Sequence, residues 1–168
     1  PAAIIINEMI LTMQRLYESS KEMFVSHPEQ MLKEGLNVAN RVISAFKISN
    51  EEEYCGFAAS VTAFVLCGTT FCFAHTGNTR LYLIRANSDG TTAINQLTVD
   101  DTKAYQRVCD GEISSEQYYA HPDRLVLTNC VGVFAGPTFQ VFRGQLRVGD
   151  LLLLTTDGIH YAVKPQAM

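Results

Sequence analysis

The feature that most constrains the fold of this chain is a change of hydrophobic pattern near Tyr54. Before it, apolar residues recur at steps of three and four, which predicts amphipathic helices over residues 2–48. After it, β-branched and aromatic residues dominate and turn residues recur at short intervals, which predicts mainly strands over residues 54–160. Short connections favour hairpins and therefore antiparallel pairing. Helices followed by antiparallel strands indicate an α+β fold.

Local signals place the individual elements. Ser26 and Glu29 form an S-x-x-E capping box, so we expect a second long helix to begin there. Gly35 inside that helix costs about 1 kcal/mol relative to alanine unless close packing requires it. Residues 151–154 are four leucines without alternation, which predicts a central strand buried on both faces. We expect the other strands at 57–66, 71–76, 80–85, 91–97, 125–128 and 139–142, with short helices at 101–109 and 114–119.

Composition excludes several classes of protein. The 168 residues suit one domain, and 47% apolar with 18% charged residues excludes a disordered chain. A net charge of −4 gives no long-range attraction to phosphate backbones, so we expect no nucleic-acid partner. The longest apolar runs are far shorter than a membrane span, and no leader opens the chain, so we expect no membrane association. Five scattered cysteines fit a reducing, cytoplasmic setting.

Two acidic turns are the candidate sites. Asp157 directly follows the leucine strand, and carboxylates held at a strand end suit hard cations such as Mg²⁺ and Mn²⁺. The alternative is that Asp157-Gly158 is an ordinary turn. Asp100 and Asp101 form the second acidic turn, and capping of the next helix is sufficient to explain them. The chain contains no P-loop, no dinucleotide-binding fingerprint and no nucleophile elbow.

Four segments, in order, resemble motifs of the PPM (PP2C-type) metal-dependent protein Ser/Thr phosphatases. Gly77-Asn78-Thr79-Arg80 is similar to the G-D-S-R motif of that family, and residues 96–100 are similar to Q-L-T-x-D. Residues 111–114 and 121–129 resemble the flap segment of bacterial members, and residues 148–159 resemble G-D-x-L-L-L-x-S-D-G-L. The two leading helices fit the helical layer that precedes these strands in the family.

The resemblance implies an antiparallel β-sandwich flanked by helices, with a two-metal site between the sheets. It implies that Asp157 is a ligand to one of the paired metals and that Asp100 helps hold a third metal. It also implies Mn²⁺ or Mg²⁺ as cofactor, a phosphoprotein substrate and an opposing Ser/Thr kinase as a partner. In such enzymes the nucleophile is a metal-bound water, so no side chain of this sequence is predicted to be catalytic.

The sequence also departs from the family. Asn78, Thr79 and Asp101 stand where the family has Asp, Ser and His. The family's first D-G motif, before the first long helix, and its late D-N motif have no match here, so we expect one PP2C-like domain over 1–168 that is incomplete at both ends.

These observations leave more than one function open. We expect the parent domain to hydrolyse phosphoserine and phosphothreonine in proteins, and this chain alone to be inactive. The alternative is a non-catalytic PP2C-like pseudophosphatase that acts as a binding or regulatory module. A third interpretation is an unrelated α+β domain whose turns match the motifs by chance.

Overall fold

The computed structural model describes residues 2–49, 56–132 and 136–162. Three helices come first, followed by strands with short helices between them. The helices are α1 (Ala2–Ser19), α2 (Lys21–Ser26), α3 (Pro28–Ser49), α4 (Lys103–Cys109), α5 (Ser115–Tyr118) and α6 (Asp157–His160), with a 3₁₀ turn at Pro122–Leu125. The strands are β1 (Val61–Cys67), β2 (Thr70–Thr76), β3 (Arg80–Ala86), β4 (Thr92–Gln96), β5 (Gln140–Gln145) and β6 (Leu151–Thr155).

The strands form two antiparallel sheets of three strands each, in the orders β1-β2-β5 and β4-β3-β6. Phe71 and Phe73 of β2 pack with Leu81 of β3, so one apolar core lies between the sheets. A second core lies on the other face of the first sheet, where Leu36 and Ile43 of α3 join residues of α1, β2 and the segment after the 3₁₀ turn. This arrangement confirms the predicted α+β sandwich flanked by helices.

The helical layer depends on a close approach of α1 to α3. Gly35 of α3 is buried, and a Cβ atom there would lie 3.0 Å from the sulfur of Met9. The glycine therefore lies at a tight contact between α1 and α3, where a larger residue would require Met9 to shift. Within the described residues, no helix is both long enough and apolar enough to cross a membrane.

The predicted capping box at Ser26 is wrong. Ser26 is the last residue of α2, and its hydroxyl donates back to the carbonyl of Glu22 at 2.7 Å. The helix break that the sequence pattern missed is at Ser20, whose side chain accepts from the Met23 amide and caps α2. The second predicted box is confirmed, because Ser114 and Gln117 cap α5 reciprocally.

Two strand predictions are also wrong. Pro122–Leu125 forms a 3₁₀ turn, and Leu127 makes only an isolated bridge with Thr102, so residues 125–128 are not a strand. Strand β6 lies at the edge of its sheet, not at its centre. Leu151 and Leu154 are 57% and 40% exposed, so the leucine run is not buried on both faces. The central strands of the two sheets are β2 and β3.

Two histidines are fully buried beside the sheets. His75 of β2 lies 2.8 Å from the Thr62 hydroxyl and 3.2 Å from the Val99 carbonyl oxygen. His160 lies 3.3 Å from the Thr155 hydroxyl, and its Nε2 has no partner among the described residues. Burial lowers the pKa of His75, and burial with the nearby Arg80 charge lowers the pKa of His160 to about 4. Both rings are therefore neutral in the folded chain near pH 7.

The first prediction concerns Gly77, in the turn between β2 and β3. Its φ is +98°, and an added Cβ would lie 2.7 Å from the backbone Cα of Ser60. We expect Gly77→Ala to lower the free energy of unfolding by about 3 kcal/mol or more, because backbone strain and overlap with backbone add. Urea unfolding measures the loss. Gly90→Ala is the control, with a similar φ of +83° and open space around it. Equal losses in the two variants would show that the contact with Ser60 is unimportant.

The second prediction concerns pH. A histidine whose pKa is lower in the folded chain than in the unfolded chain binds a proton more readily when the chain is unfolded. Burial of such a histidine therefore leaves the free energy of unfolding unchanged above about pH 6.5 and lowers it below that pH. We expect the free energy of unfolding to fall between pH 7 and pH 5 by up to about 1.4 kcal/mol per pH unit for each buried histidine. His160→Gln is expected to reduce this slope, whereas His27→Gln, at an exposed position, leaves it unchanged. An unaltered slope in His160→Gln would contradict the prediction.

Candidate functional site

Asp157 is the first residue of α6, separated from the end of β6 by Thr156, and is half-buried. The side-chain amide of Asn78 donates to its Oδ2 over 3.4 Å. This long contact is the only hydrogen bond of the Asp157 carboxylate within the described part of the chain. Its Oδ1 therefore accepts from no described donor and is open to a ligand.

Asn78 is held in a fixed orientation in the turn between β2 and β3. Its backbone N–H donates to the Ser60 hydroxyl at 3.0 Å, and that hydroxyl donates to Asn78 Oδ1 at 2.8 Å. Because Oδ1 is taken up by Ser60, the amide nitrogen faces Asp157. The residue that replaces the family aspartate thus presents a neutral donor to the candidate metal ligand.

Asp100 lies in the loop after β4 and is only 3% exposed. Arg80 of β3 donates to both of its oxygens, from Nε at 2.9 Å and from Nη2 at 2.7 Å. The Tyr118 hydroxyl donates to the same carboxylate, and Gln96 approaches it at 3.4 Å. This carboxylate is therefore saturated by protein donors, and a cation has to compete with Arg80 for it.

The guanidinium of Arg80 is buried, like the Asp100 carboxylate with which it pairs. It lies 5.8 Å and 5.9 Å from the ring centroids of Tyr118 and Tyr119, within the range of cation–π attraction. Burial opposes its charge, yet hydrogen bonding and the charge of Asp100 raise the pKa of Arg80 above its ordinary value. Burial, together with the charge of Asp100, raises the pKa of the Tyr118 hydroxyl.

Asp101 has a structural role that neither sequence alternative anticipated. Its Oδ2 accepts from the Gly77 amide at 2.9 Å and from the Asn129 side chain at 3.1 Å. It therefore ties the turn that carries Asn78 to the segment before β5. The expectation that Asp100 or Asp101 caps the next helix is wrong, because Thr102 is the N-cap of α4 and accepts from the Tyr105 amide.

A cavity of about 280 Å³ opens beside these residues, between α1, β1, β3 and β6. Ile5 and Ile6 of α1 form part of its apolar wall. Its polar lining consists of the hydroxyls of Ser60, Thr62, Thr79, Thr155 and Thr156 together with Arg80. Of the described residues, neither Asp nor Glu lines it, so this part of the chain offers no anionic surface there to a divalent cation.

The described residues do not form a complete two-metal site. Among them there is no group of three or more His, Cys, Asp or Glu that could hold a metal ion. A pair of divalent cations needs several carboxylate oxygens, and Asp157 supplies only one open carboxylate. Asp157 and Asp100 also bond to different partners, Asn78 and Arg80. Their predicted roles as metal ligands stay predictions, and further ligands have to come from outside the described residues.

Two residues of the site were missed by sequence reasoning. Tyr118 donates to Asp100, and the Tyr161 hydroxyl lies 3.3 Å from that of Tyr118. The available signal was Arg80 within the apolar stretch 80–85, since a buried cation needs an acidic partner and further polar contacts. Nothing in the local sequence pattern pointed to Tyr161.

No protein-family profile matches the chain. Among curated proteins, it is 30% identical over 134 residues to the serine/threonine protein phosphatase PstP of Mycobacterium tuberculosis, covering 79% of this chain and 24% of PstP. It is 27% identical over 131 residues to the serine/threonine phosphatase stp of Listeria welshimeri, covering 78% of this chain and 50% of stp. The chain thus spans half or less of these two relatives.

Solved structures show the same relationship. Serine/threonine phosphatase Stp1 from Staphylococcus aureus matches with a TM-score of 0.75 and 25% identity, over 82% of this chain and 52% of Stp1. The catalytic domain of PstP in complex with two manganese ions matches with a TM-score of 0.73 and 22% identity, over 98% of this chain and 64% of that domain. The curated homologues of the chain are therefore PP2C-type Ser/Thr phosphatases, its structural neighbours are PPM phosphatases, and the chain covers part of their domain.

Proposed function

We propose that the protein containing this chain is a metal-dependent phosphatase that removes phosphate from phosphoserine and phosphothreonine in proteins. The observation that carries the proposal is Asp157, held at the end of β6 with one carboxylate oxygen free of described donors. That presentation suits a ligand to a hard cation. The similarity to PstP and stp, both serine/threonine phosphatases, supports the reaction class.

Manganese is the proposed cofactor, because a PstP structure with a TM-score of 0.73 contains two manganese ions. A bound cation of this kind lowers the pKa of its water and screens phosphoryl oxygens. The contribution of this chain is the Asp157 carboxylate and the Ser60–Asn78 pair that orients it. Because the described residues supply too few ligands, we propose that the 168-residue chain alone neither binds two metal ions nor turns over substrate. Use of Mg²⁺, an opposing kinase and a cytoplasmic location belong to the same proposal.

A second candidate is a non-catalytic member of the family that acts as a binding or regulatory module. One observation favours it: Asn78, at the position of a family aspartate, gives Asp157 a neutral amide neighbour in place of a second carboxylate. One carboxylate fewer weakens the attraction for a divalent cation. The two candidates differ in whether the full-length protein shows a manganese-dependent rate.

The third prediction separates these two candidates. We expect the full-length protein to hydrolyse p-nitrophenyl phosphate with manganese. We expect Asp157→Asn to lower kcat/KM about 100-fold or more, because loss of a metal ligand reduces activity at least as much as loss of a residue that orients a ligand. Asp110→Asn is the matched control, because it alters an exposed Asp-Gly pair and is expected to leave the rate unchanged. No manganese-dependent rate in the unaltered protein would favour the non-catalytic candidate. An unchanged rate in Asp157→Asn would exclude Asp157 as a ligand.

The fourth prediction concerns Asp100. Because Asp100 neutralises a buried guanidinium, we expect Asp100→Asn to lower the free energy of unfolding of the metal-free chain by about 3–5 kcal/mol. Glu34→Gln is the control, because its ion pair with Arg41 is largely exposed and is worth less than about 1 kcal/mol. Urea unfolding without added metal measures both. A loss below about 1 kcal/mol in Asp100→Asn would indicate that the carboxylate serves metal binding more than folding.

A further inference from the structure

The segment between β4 and β5 carries α4, α5 and the 3₁₀ turn, and we name residues 103–125 the helical insert. Tyr161, which follows α6, contacts this insert directly. The Tyr161 hydroxyl donates to the carbonyl oxygen of Arg124 at 2.7 Å. The Arg124 guanidinium lies 5.2 Å from the centre of the Tyr161 ring. Tyr161 therefore holds the 3₁₀ turn of the helical insert by its hydroxyl and by its ring.

Tyr161 is also joined closely to Asp157. It is the C-cap residue of α6, and its backbone N–H donates to the Asp157 carbonyl at 3.0 Å. This route is short, so a displacement of Tyr161 moves the turn of α6 that carries the Asp157 carboxylate.

The hydrogen-bond donors in this cluster can be counted, because each phenol has one proton. The proton of Tyr118 goes to Asp100, and the proton of Tyr161 goes to the Arg124 carbonyl. Neither phenol then donates to the other across their 3.3 Å separation. Removing the Tyr161 hydroxyl thus leaves the Arg124 carbonyl without this donor.

We propose that Tyr161 is a positioning residue that couples the helical insert to Asp157. A shift of the insert alters the orientation of the Asp157 carboxylate, and a ligand on Asp157 in turn stabilises the insert. The link to catalysis rests on the proposed function, since it requires Asp157 to hold a metal. The coupling itself rests only on the contacts of Tyr161.

Hydrogen exchange of the 168-residue chain tests the coupling without metal. We expect Tyr161→Phe to accelerate amide exchange about tenfold at 122–126 and at 157–161, because one hydrogen bond to the insert is lost. Tyr119→Phe is the matched control, because the half-buried Tyr119 hydroxyl makes no hydrogen bond among the described residues and exchange should not change. Acceleration confined to 122–126, or spread evenly over the strands, would overturn the proposal.

The reciprocal variant perturbs the insert and observes Asp157. Arg124→Gln removes the cation over the Tyr161 ring, and we expect faster exchange at 157–161. Arg107→Gln is its control, since Arg107 pairs with Glu112 and Asp123 within the insert and should leave 157–161 unchanged. Unchanged exchange at 157–161 in Arg124→Gln would show that the insert does not act on this helix.

Manganese titration calorimetry on the full-length protein then tests the link to the metal. We expect Tyr161→Phe to weaken manganese binding about tenfold, which is within the range of affinity losses seen when a residue that orients a metal ligand is replaced. We expect Tyr119→Phe to leave manganese affinity unchanged. Equal affinities in the unaltered protein and Tyr161→Phe would overturn the positioning role. Absence of manganese binding in the unaltered protein would overturn the proposed function instead, and the exchange experiment would still decide the coupling.

Discussion

The buried ion pair between Arg80 and Asp100 is the constraint on which the rest of the structure depends. Removing a guanidinium and a carboxylate from water costs several kcal/mol per ion unless hydrogen bonds satisfy both. Here they are satisfied, because Asp100 accepts from Arg80 twice and from Tyr118, while Arg80 also donates to the Tyr82 hydroxyl. These residues belong to β3, to the loop after β4 and to α5. The need to neutralise one buried charge therefore brings three distant parts of the chain to one point.

A separate set of contacts orients the Asp157 carboxylate. Two carboxylates at hydrogen-bonding distance repel each other unless a cation lies between them. With an amide at position 78, Asp157 faces a donor whose orientation is set by Ser60. The asparagine thus gives Asp157 a hydrogen bond and supplies one carboxylate fewer to a divalent cation. The catalytic and the non-catalytic candidates differ in whether Asp157 still binds a cation beside it.

Sequence reasoning succeeded where the determining physics is local. Helical periodicity over residues 2–48 and the S-x-x-Q box at Ser114 depend on neighbours within one or two turns, and both are present in the structure. The order of motifs also placed Asp157 correctly at the end of a strand. Sequence reasoning failed where contacts between distant parts of the chain determine the structure. Asp100 meets Arg80 across 20 positions of sequence and Tyr118 across 18, and no local rule selects those partners. The burial of the 151–154 leucines likewise depends on which strand lies at the sheet edge.

The two edge strands that line the cavity near Asp157 also carry exposed apolar side chains. Strands β1 and β6 are both edge strands, and each contributes to the cavity beside Asp157. Both also carry exposed large apolar side chains, Phe64 and Leu66 on β1 and Leu151 and Leu154 on β6. Unpaired edges with apolar side chains favour association with a further strand. Within the described residues, the two edge strands that line the cavity therefore also carry the apolar side chains that a further strand would cover.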